Sequence, residues 1–229
     1  MIIVPVVAMN MPDALAQVKA ANKVCDAIEL RLDYFKKLGE HELSRLIAAC
    51  KKPCICTCRS AKEGGRFEGP DNVRVQVLRS AIKNGAHYVD IEFETKPSLR
   101  KSLYKYAKVR RAKVILSKHC TTHTPPLKEL RALLERMRKD NAHVVKIVAK
   151  ANKHDDNKVI LALFKDASRK RVRLIAFCMG DLGKDSRILS RFIGGFATFA
   201  SLGKGLESAQ GQISVQEMRK MHTELGAVL

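Results

Sequence analysis

Short runs of β-branched and other apolar residues alternate with longer amphipathic stretches along the chain, and they do so eight times. The strand candidates lie at 2–7, 27–31, 54–59, 88–92, 114–118, 144–148, 171–177 and 195–199. Helical patterns lie near 12–23, 40–50, 71–84, 97–110, 126–140, 156–169 and 184–193, with a last one at 214–228. Pro97-Ser98, Pro125-Pro126 and Asp155-Asp156 are helix-opening signals, and Gly39 and Gly85 sit at or just outside helix ends. Strands separated by helices form βαβ units and a parallel sheet. Eight units of about 29 residues match the small end of the (β/α)8 TIM barrel. The rival, a doubly wound open sheet, usually carries a Gly-rich phosphate turn after its first strand. Here that segment runs Val7-Ala8-Met9-Asn10-Met11-Pro12-Asp13 and contains no glycine. No linker or low-complexity stretch divides the 229 residues, so the expectation is one α/β barrel domain over 1–229.

Composition narrows the function classes. Forty-three Lys and Arg against 23 Asp and Glu leave a net charge of +20, which bears on solubility, steering and polyanion binding but not on fold. The cations recur within helical patterns, as in Lys96, Arg100, Lys101, Lys105, Lys108, Arg110 and Arg111, and in Lys128, Arg131, Arg136, Arg138 and Lys139. They read as solvated outer faces, with a nucleic-acid footprint as the alternative. With no Trp and 5% aromatic residues, platforms for stacking single-stranded nucleic acid are scarce. No apolar run approaches the ~20 residues needed to span a bilayer. The N-terminus lacks a basic region of the signal-peptide type, so the seven cysteines, an odd number, are expected as reduced thiols in a cytoplasm.

A barrel places its chemistry at the C-terminal ends of its strands. The second strand ends Glu29-Leu30-Arg31-Leu32-Asp33, and alternation puts the three charges on one face, either as a self-satisfied ion cluster or as functional groups. In the third, Cys54, Cys56 and Cys58 share the face opposite Arg59. Their spacing lacks the pairing of structural zinc sites, so they are expected as core cysteines beneath the helices, with Arg59 in the lumen. Gly64-Gly65 then gives a flexible loop able to approach a ligand closely. The fifth strand ends Ser117-Lys118-His119-Cys120, where His119 is an acid/base candidate. His123, in a stretch that Pro125 and Pro126 keep from being helical, is not expected to join it on a metal. Alternation puts Lys118 on the face away from His119. In the sixth, Lys146 sits among β-branched residues, either ion-paired or as a desolvated amine able to attack a carbonyl. The segments 180–187 and 201–212 are Gly-rich loops with donors, and Arg187 could clamp a carboxylate.

Taken in order, E-L-R-L-D at 29–33, C-R-S-A-K-E-G-G at 58–65, S-K-H at 117–119, V-K-I at 145–147, M-G-x-x-G-x-x-S-R-I at 179–188 and S-A-x-G-Q-I at 208–213 resemble the type I 3-dehydroquinate dehydratase family. The resemblance implies a barrel, usually dimeric, that dehydrates 3-dehydroquinate to 3-dehydroshikimate in the shikimate pathway of aromatic amino acid biosynthesis. Carried over by position, Lys146 forms an imine with the substrate ketone, His119 moves the protons, and Glu63 tunes or positions the histidine. Arg59, Arg187, Ser208 and Gln212 hold the carboxylate and ring, and Glu29 and Arg31 read the hydroxyls. A protonated imine is itself the electron sink, so no metal or organic cofactor is called for. The implied partners are the anionic substrate and a second copy of the chain, with no membrane and no specific nucleic acid. The chain departs from the family pattern at Cys120, where an acidic or amide residue is usual, and at Gln210, where proline is usual. The rivals are another Schiff-base barrel, an aldolase or transaldolase sharing Lys146, and a basic binding protein on a barrel scaffold.

Overall fold

The structure is a computed structural model that describes residues 1–227. Its strands are β1 (Ile2–Val6), β2 (Ala27–Arg31), β3 (Cys54–Thr57), β4 (Tyr88–Glu92), β5 (Lys113–Cys120), β6 (Val144–Lys150), β7 (Leu174–Met179) and β8 (Thr198–Phe199). The helices are α1 (Met11–Val24), α2 (Glu40–Ala49), α3 (Asp71–Lys83), α4 (Pro97–Val109), α5 (Leu127–Arg138), α6 (Asp156–Leu161), α7 (Leu163–Arg169), α8 (Lys184–Leu189) and α9 (Val215–Gly226). All strand pairs are parallel, in the order β7-β6-β5-β4-β3-β2-β1-β8. The Phe196 amide donates to the Leu174 carbonyl at 2.9 Å, which brings the two outer strands together and all but closes the (β/α)8 barrel. A closed sheet leaves no row of unpaired strand edges.

Several bounds differ from the sequence expectation. The pattern at 156–169 breaks at Ala162 into α6 and α7. The seventh strand starts at Leu174 rather than 171, because Arg171 turns the chain at φ 53° before the strand can begin. The eighth shrinks to two residues: Gly194 has φ 92°, and a Cβ on Gly195 would stand 2.4 Å from the Ser190 carbonyl oxygen. β3 stops at Thr57, so Arg59 lies just past the strand. Position 228 of the last helical pattern lies outside the described residues.

Period-two alternation sorts every strand into two faces. Outward, Ile28, Leu30, Val89, Ile91, Val145, Ile147, Leu174 and Ala176 meet the helices in the main core, and Cys54, Cys56 and Cys58 lie there too. Each fully buried Leu or Ile contributes about 1.5–3 kcal/mol. Inward, Ile3, Ala27, Ile55, Ile115, Val144 and Ile175 form an apolar plug at the N-terminal end of the lumen. One step along each strand, the lumen turns polar at Glu29, Thr57, Asp90, Ser117 and Lys146, all buried. That change of layer fixes where charged chemistry can sit.

Candidate active site

A cavity of about 270 Å³ opens above the polar layer at the C-terminal strand ends. Glu29, Arg31, Arg59, Glu63, His119, Lys146, Arg187, Ser208 and Gln212, the nine residues singled out in the sequence, all line it.

β6 brings Lys146 to its floor, where the residue is 5% exposed. Its Nζ lies 3.3 Å from Asp90 Oδ2, 3.8 Å from Glu29 Oε1 and 4.2 Å from the centre of the Phe199 ring. The lysine is therefore ion-paired at rest and also faces the open cavity. Thr57 Oγ1 donates to Glu29 Oε1 at 2.8 Å and holds that carboxylate in place. Arg59 Nη2 meets Asp90 Oδ1 at 2.7 Å, and its Nη1 donates to Ser117 Oγ at 2.7 Å. Burial alone would ease the Arg59 proton off, yet Asp90, Glu92 and Glu63 hold it on more firmly than usual. Burial opposes ionisation of Asp90, but Arg59 and Lys146 keep its carboxyl well below the usual carboxylate range.

His119 is the last but one residue of β5, its side chain 13% exposed. Its Nδ1 is 2.9 Å from Glu63 Oε2, and its backbone amide donates to the same oxygen at 2.9 Å. Burial first, then the Arg59 and Lys146 cations, push the imidazole well below its ordinary pKa. A neutral ring with Nδ1–H donating to Glu63 leaves the Nε2 lone pair free to take a proton. Burial lifts the Glu63 carboxyl above its usual range, against Arg59, Lys118 and the His119 amide.

Lys118 points away from the lumen, as alternation requires, and does not line the cavity. Its Nζ nevertheless lies 3.4 Å from Glu63 Oε1, because the turn carrying Glu63 folds over the end of β5. Opposite strand faces thus meet at one carboxylate. Gly64-Gly65 also differs from expectation. Gly64 lines the cavity, but the close approach of Gly65 is to the chain itself: a Cβ there would stand 2.1 Å from the Arg59 carbonyl oxygen. The pair makes a tight turn, not a loose loop.

The roof comes from β7–α8 and β8–α9. Arg187 is 1% exposed, lies 4.3 Å over the Phe177 ring, and makes one long contact, Nη1 to the Phe199 carbonyl at 3.5 Å. Among the described residues its Nε and Nη2 have no hydrogen-bond partner, and burial pushes its pKa down to about 10. A buried guanidinium with unpaired donors beside a cavity has the chemistry to pair with a carboxylate. Ser208 and Gln212 hold each other across the last loop, Gln212 Nε2 donating to Ser208 Oγ at 3.1 Å. Arg31 is locked by Asp33, Nε to Oδ1 at 2.9 Å and Nη2 to Oδ2 at 2.7 Å. The ion-cluster reading of this strand end thus holds for Arg31 and Asp33, while Glu29 turns to Lys146.

The family model for type I 3-dehydroquinase matches residues 2–227. The chain belongs to the type I 3-dehydroquinase family. A 3-dehydroquinate dehydratase of Thermococcus gammatolerans is 38% identical over 216 residues, 94% of each chain. One from Coxiella burnetii is 32% identical over 221 residues, 96% of this chain and 91% of the relative. The type I 3-dehydroquinate dehydratase of Clostridium difficile, solved with a covalently modified comenic acid, superposes with a TM-score of 0.91 at 25% identity, covering all of this chain and 92% of that one. As a member of the family the chain is an enzyme of the hydro-lyase class.

Sequence reasoning missed Asp90, Phe177 and Phe199. Asp90 sits between Val89 and Ile91 in β4, a carboxylate flanked by apolar residues in a buried strand, which is the kind of signal that marks a paired or functional charge. The two phenylalanines carry no such signal; only closure of the barrel sets their rings against Lys146 and Arg187.

Proposed function

We propose that this enzyme dehydrates 3-dehydroquinate to 3-dehydroshikimate through an imine on Lys146, with His119 as base and then acid. The observation that carries the reading is one small cavity holding a buried lysine, a neutral histidine and an arginine whose Nε and Nη2 are unpartnered among the described residues. The substrate carboxylate pairs with Arg187, which orients the ring over Lys146. Lys146 must lose a proton before it attacks; Glu29 and Asp90 are the carboxylates within reach, and Glu29, not tied to an arginine as Asp90 is, is the better acceptor. The amine adds to the ketone carbon and water leaves, forming a protonated imine. His119 removes the neighbouring proton, and the electron pair moves into the imine to give an enamine. The enamine expels the hydroxyl, which departs as water with the proton His119 carried. Water then hydrolyses the imine and frees Lys146. The imine supplies the electron sink throughout. We place the reaction in the shikimate pathway, in a cytoplasmic homodimer whose assembly sedimentation equilibrium would reveal.

The test is intact mass and peptide mapping after incubation with 3-dehydroquinate and borohydride. One reduced adduct on Lys146 is expected. Lys146→Ala should give no adduct and no turnover, whereas His119→Ala should still form the adduct with turnover lowered about 10²–10⁴-fold. A folded wild type that forms no adduct refutes the imine, and a fully active His119→Ala refutes the proton-transfer role.

A further inference from the structure

The end of the barrel opposite the cavity is made of loops that lead from each helix into the next strand. Between α4 and β7 these loops expose Arg110, Arg111, Lys113, Lys139, Arg171 and Arg173. Among the described residues none of the six is ion-paired, because the nearby acids are engaged elsewhere. Asp140 is held by Arg100 at 2.6 Å, Glu135 by Arg138 and Lys170 at 2.5 Å each, and Asp166 by Arg131 at 2.8 Å. The loops form one surface: the Lys113 amide donates to the His87 carbonyl at 2.9 Å, the His143 amide to Val114 at 3.0 Å, and the Val145 amide to Arg173 at 2.9 Å. His143 lies among them, and its imidazole is held below its ordinary pKa by burial, then by Lys113 and Arg173.

Backbone geometry adds a second, independent observation. Each of these loops leaves its helix through one residue at positive φ, as Gly85 does before β4 (93°). The corresponding residues are Arg111 (57°), Asn141 (56°) and Arg171 (53°). Glycine takes this conformation freely and asparagine is the next best, whereas an arginine is strained there. Two arginines thus stand where glycine would be more stable, which points to a use for their charge.

We propose that this end of the barrel binds the phosphodiester backbone of nucleic acid, without reading its sequence and independently of the chemistry at the other end. Arginine, four of the six cations, matches phosphate in bidentate fashion. Tyr88 and Phe196 are half-buried and covered by Lys113 at 5.4 Å and Arg173 at 6.0 Å, so no bare ring is offered for base stacking. At this end the exposed large apolar residues are Val109 and Ile193, two aliphatic side chains at different helix-to-strand junctions and too few to make a face that would enter a lipid headgroup layer. Those two facts favour the backbone of a nucleic acid over a base-reading site or a membrane.

The test is fluorescence anisotropy of the full chain with labelled duplexes of two unrelated sequences, from low to physiological salt. Equal affinities are expected, with a log–log salt slope near about −4 to −5 if roughly five phosphates are neutralised. The double variant Arg111→Gly, Arg171→Gly should flatten that slope by about 2 and weaken binding roughly tenfold. Its thermal midpoint should hold or rise, since glycine relieves the positive φ, and its dehydratase rate should equal that of the wild type. Lys113→Gln with Arg173→Gln removes two charges without touching the turns and should weaken binding similarly. Absence of binding at low salt, a marked preference for one sequence, unchanged binding in both variants, or binding to phosphatidylserine vesicles in preference to duplex would each overturn the proposal.

Discussion

Arg187 is the side chain whose burial costs the protein most visibly. A guanidinium under Phe177, with Nε and Nη2 unsatisfied among the described residues, destabilises the unliganded state, and the substrate carboxylate proposed to bind there would relieve it. Arg187→Met should therefore stabilise the free enzyme, by about 1–4 kcal/mol. It should also raise KM about 10–100-fold, since hydrogen bonds to a charged group are worth roughly 1.5–3 kcal/mol. Thermal melts and steady-state kinetics on the one variant check both signs, and a variant both less stable and equally tight-binding contradicts the assignment. His119 carries a pH consequence. Its pKa is depressed, so the imidazole stays neutral where an ordinary histidine, near ~6.5, is half protonated. The acid limb of kcat/KM is expected below pH ~6.5, and the histidine's contribution to stability is full above ~6.5 and lost as pH falls towards the folded value. Lys118→Met removes a cation from Glu63 and should lift that carboxyl further, moving the acid limb upward with a modest fall in kcat. Paired pH–rate profiles read both shifts, and an acid limb at or above 6.5 in the wild type contradicts the depressed histidine.

At the scale of elements, the turn after β3 decides whether the Glu63 carboxylate reaches His119. Glu92 at the end of β4 accepts from the Ser60 amide and from Ser60 Oγ, both at 2.8 Å, and meets Arg74 of α3 at 3.1 Å. Asp33 accepts from the Arg59 and Arg66 amides at 3.2 and 3.1 Å, so the turn is pinned on both sides. Gly65 must approach the Arg59 carbonyl too closely for any Cβ. Gly65→Ala is expected to displace Glu63, lower kcat more than it raises KM, and destabilise by about 1–3 kcal/mol. Activity assays and melting of that variant decide it; an unchanged kcat would mean the turn tolerates the shift. The same turn brings the two faces of β5 together at one carboxylate. Lys118 and His119 do leave opposite faces of β5, but a carboxylate folded over the strand end touches both.

For the whole molecule, the +20 charge works against the compact state, because unpaired cations crowd one end of the barrel. Moderate salt should therefore raise the thermal midpoint, the reverse of what a fold held by surface ion pairs would show. Melts across a salt series test this, and a midpoint falling with salt would mean that attraction outweighs repulsion. The sequence determined the architecture, since eight alternating units leave few other ways to bury their apolar faces, and it determined which residues point into the lumen, since strand side chains alternate with a period of two. It also carried the candidate chemistry, because Lys146 and the strand-end charges stand out against apolar neighbours. Only the tertiary structure decided which charges meet. Asp90 on β4 joins Lys146 on β6 to Arg59 beyond β3, Glu63 reaches His119 over 56 residues of chain, and Arg187 Nε and Nη2 find no partner among the described residues. Such pairings depend on barrel closure and loop folding, which bring together residues far apart in the chain, and no local periodicity records them.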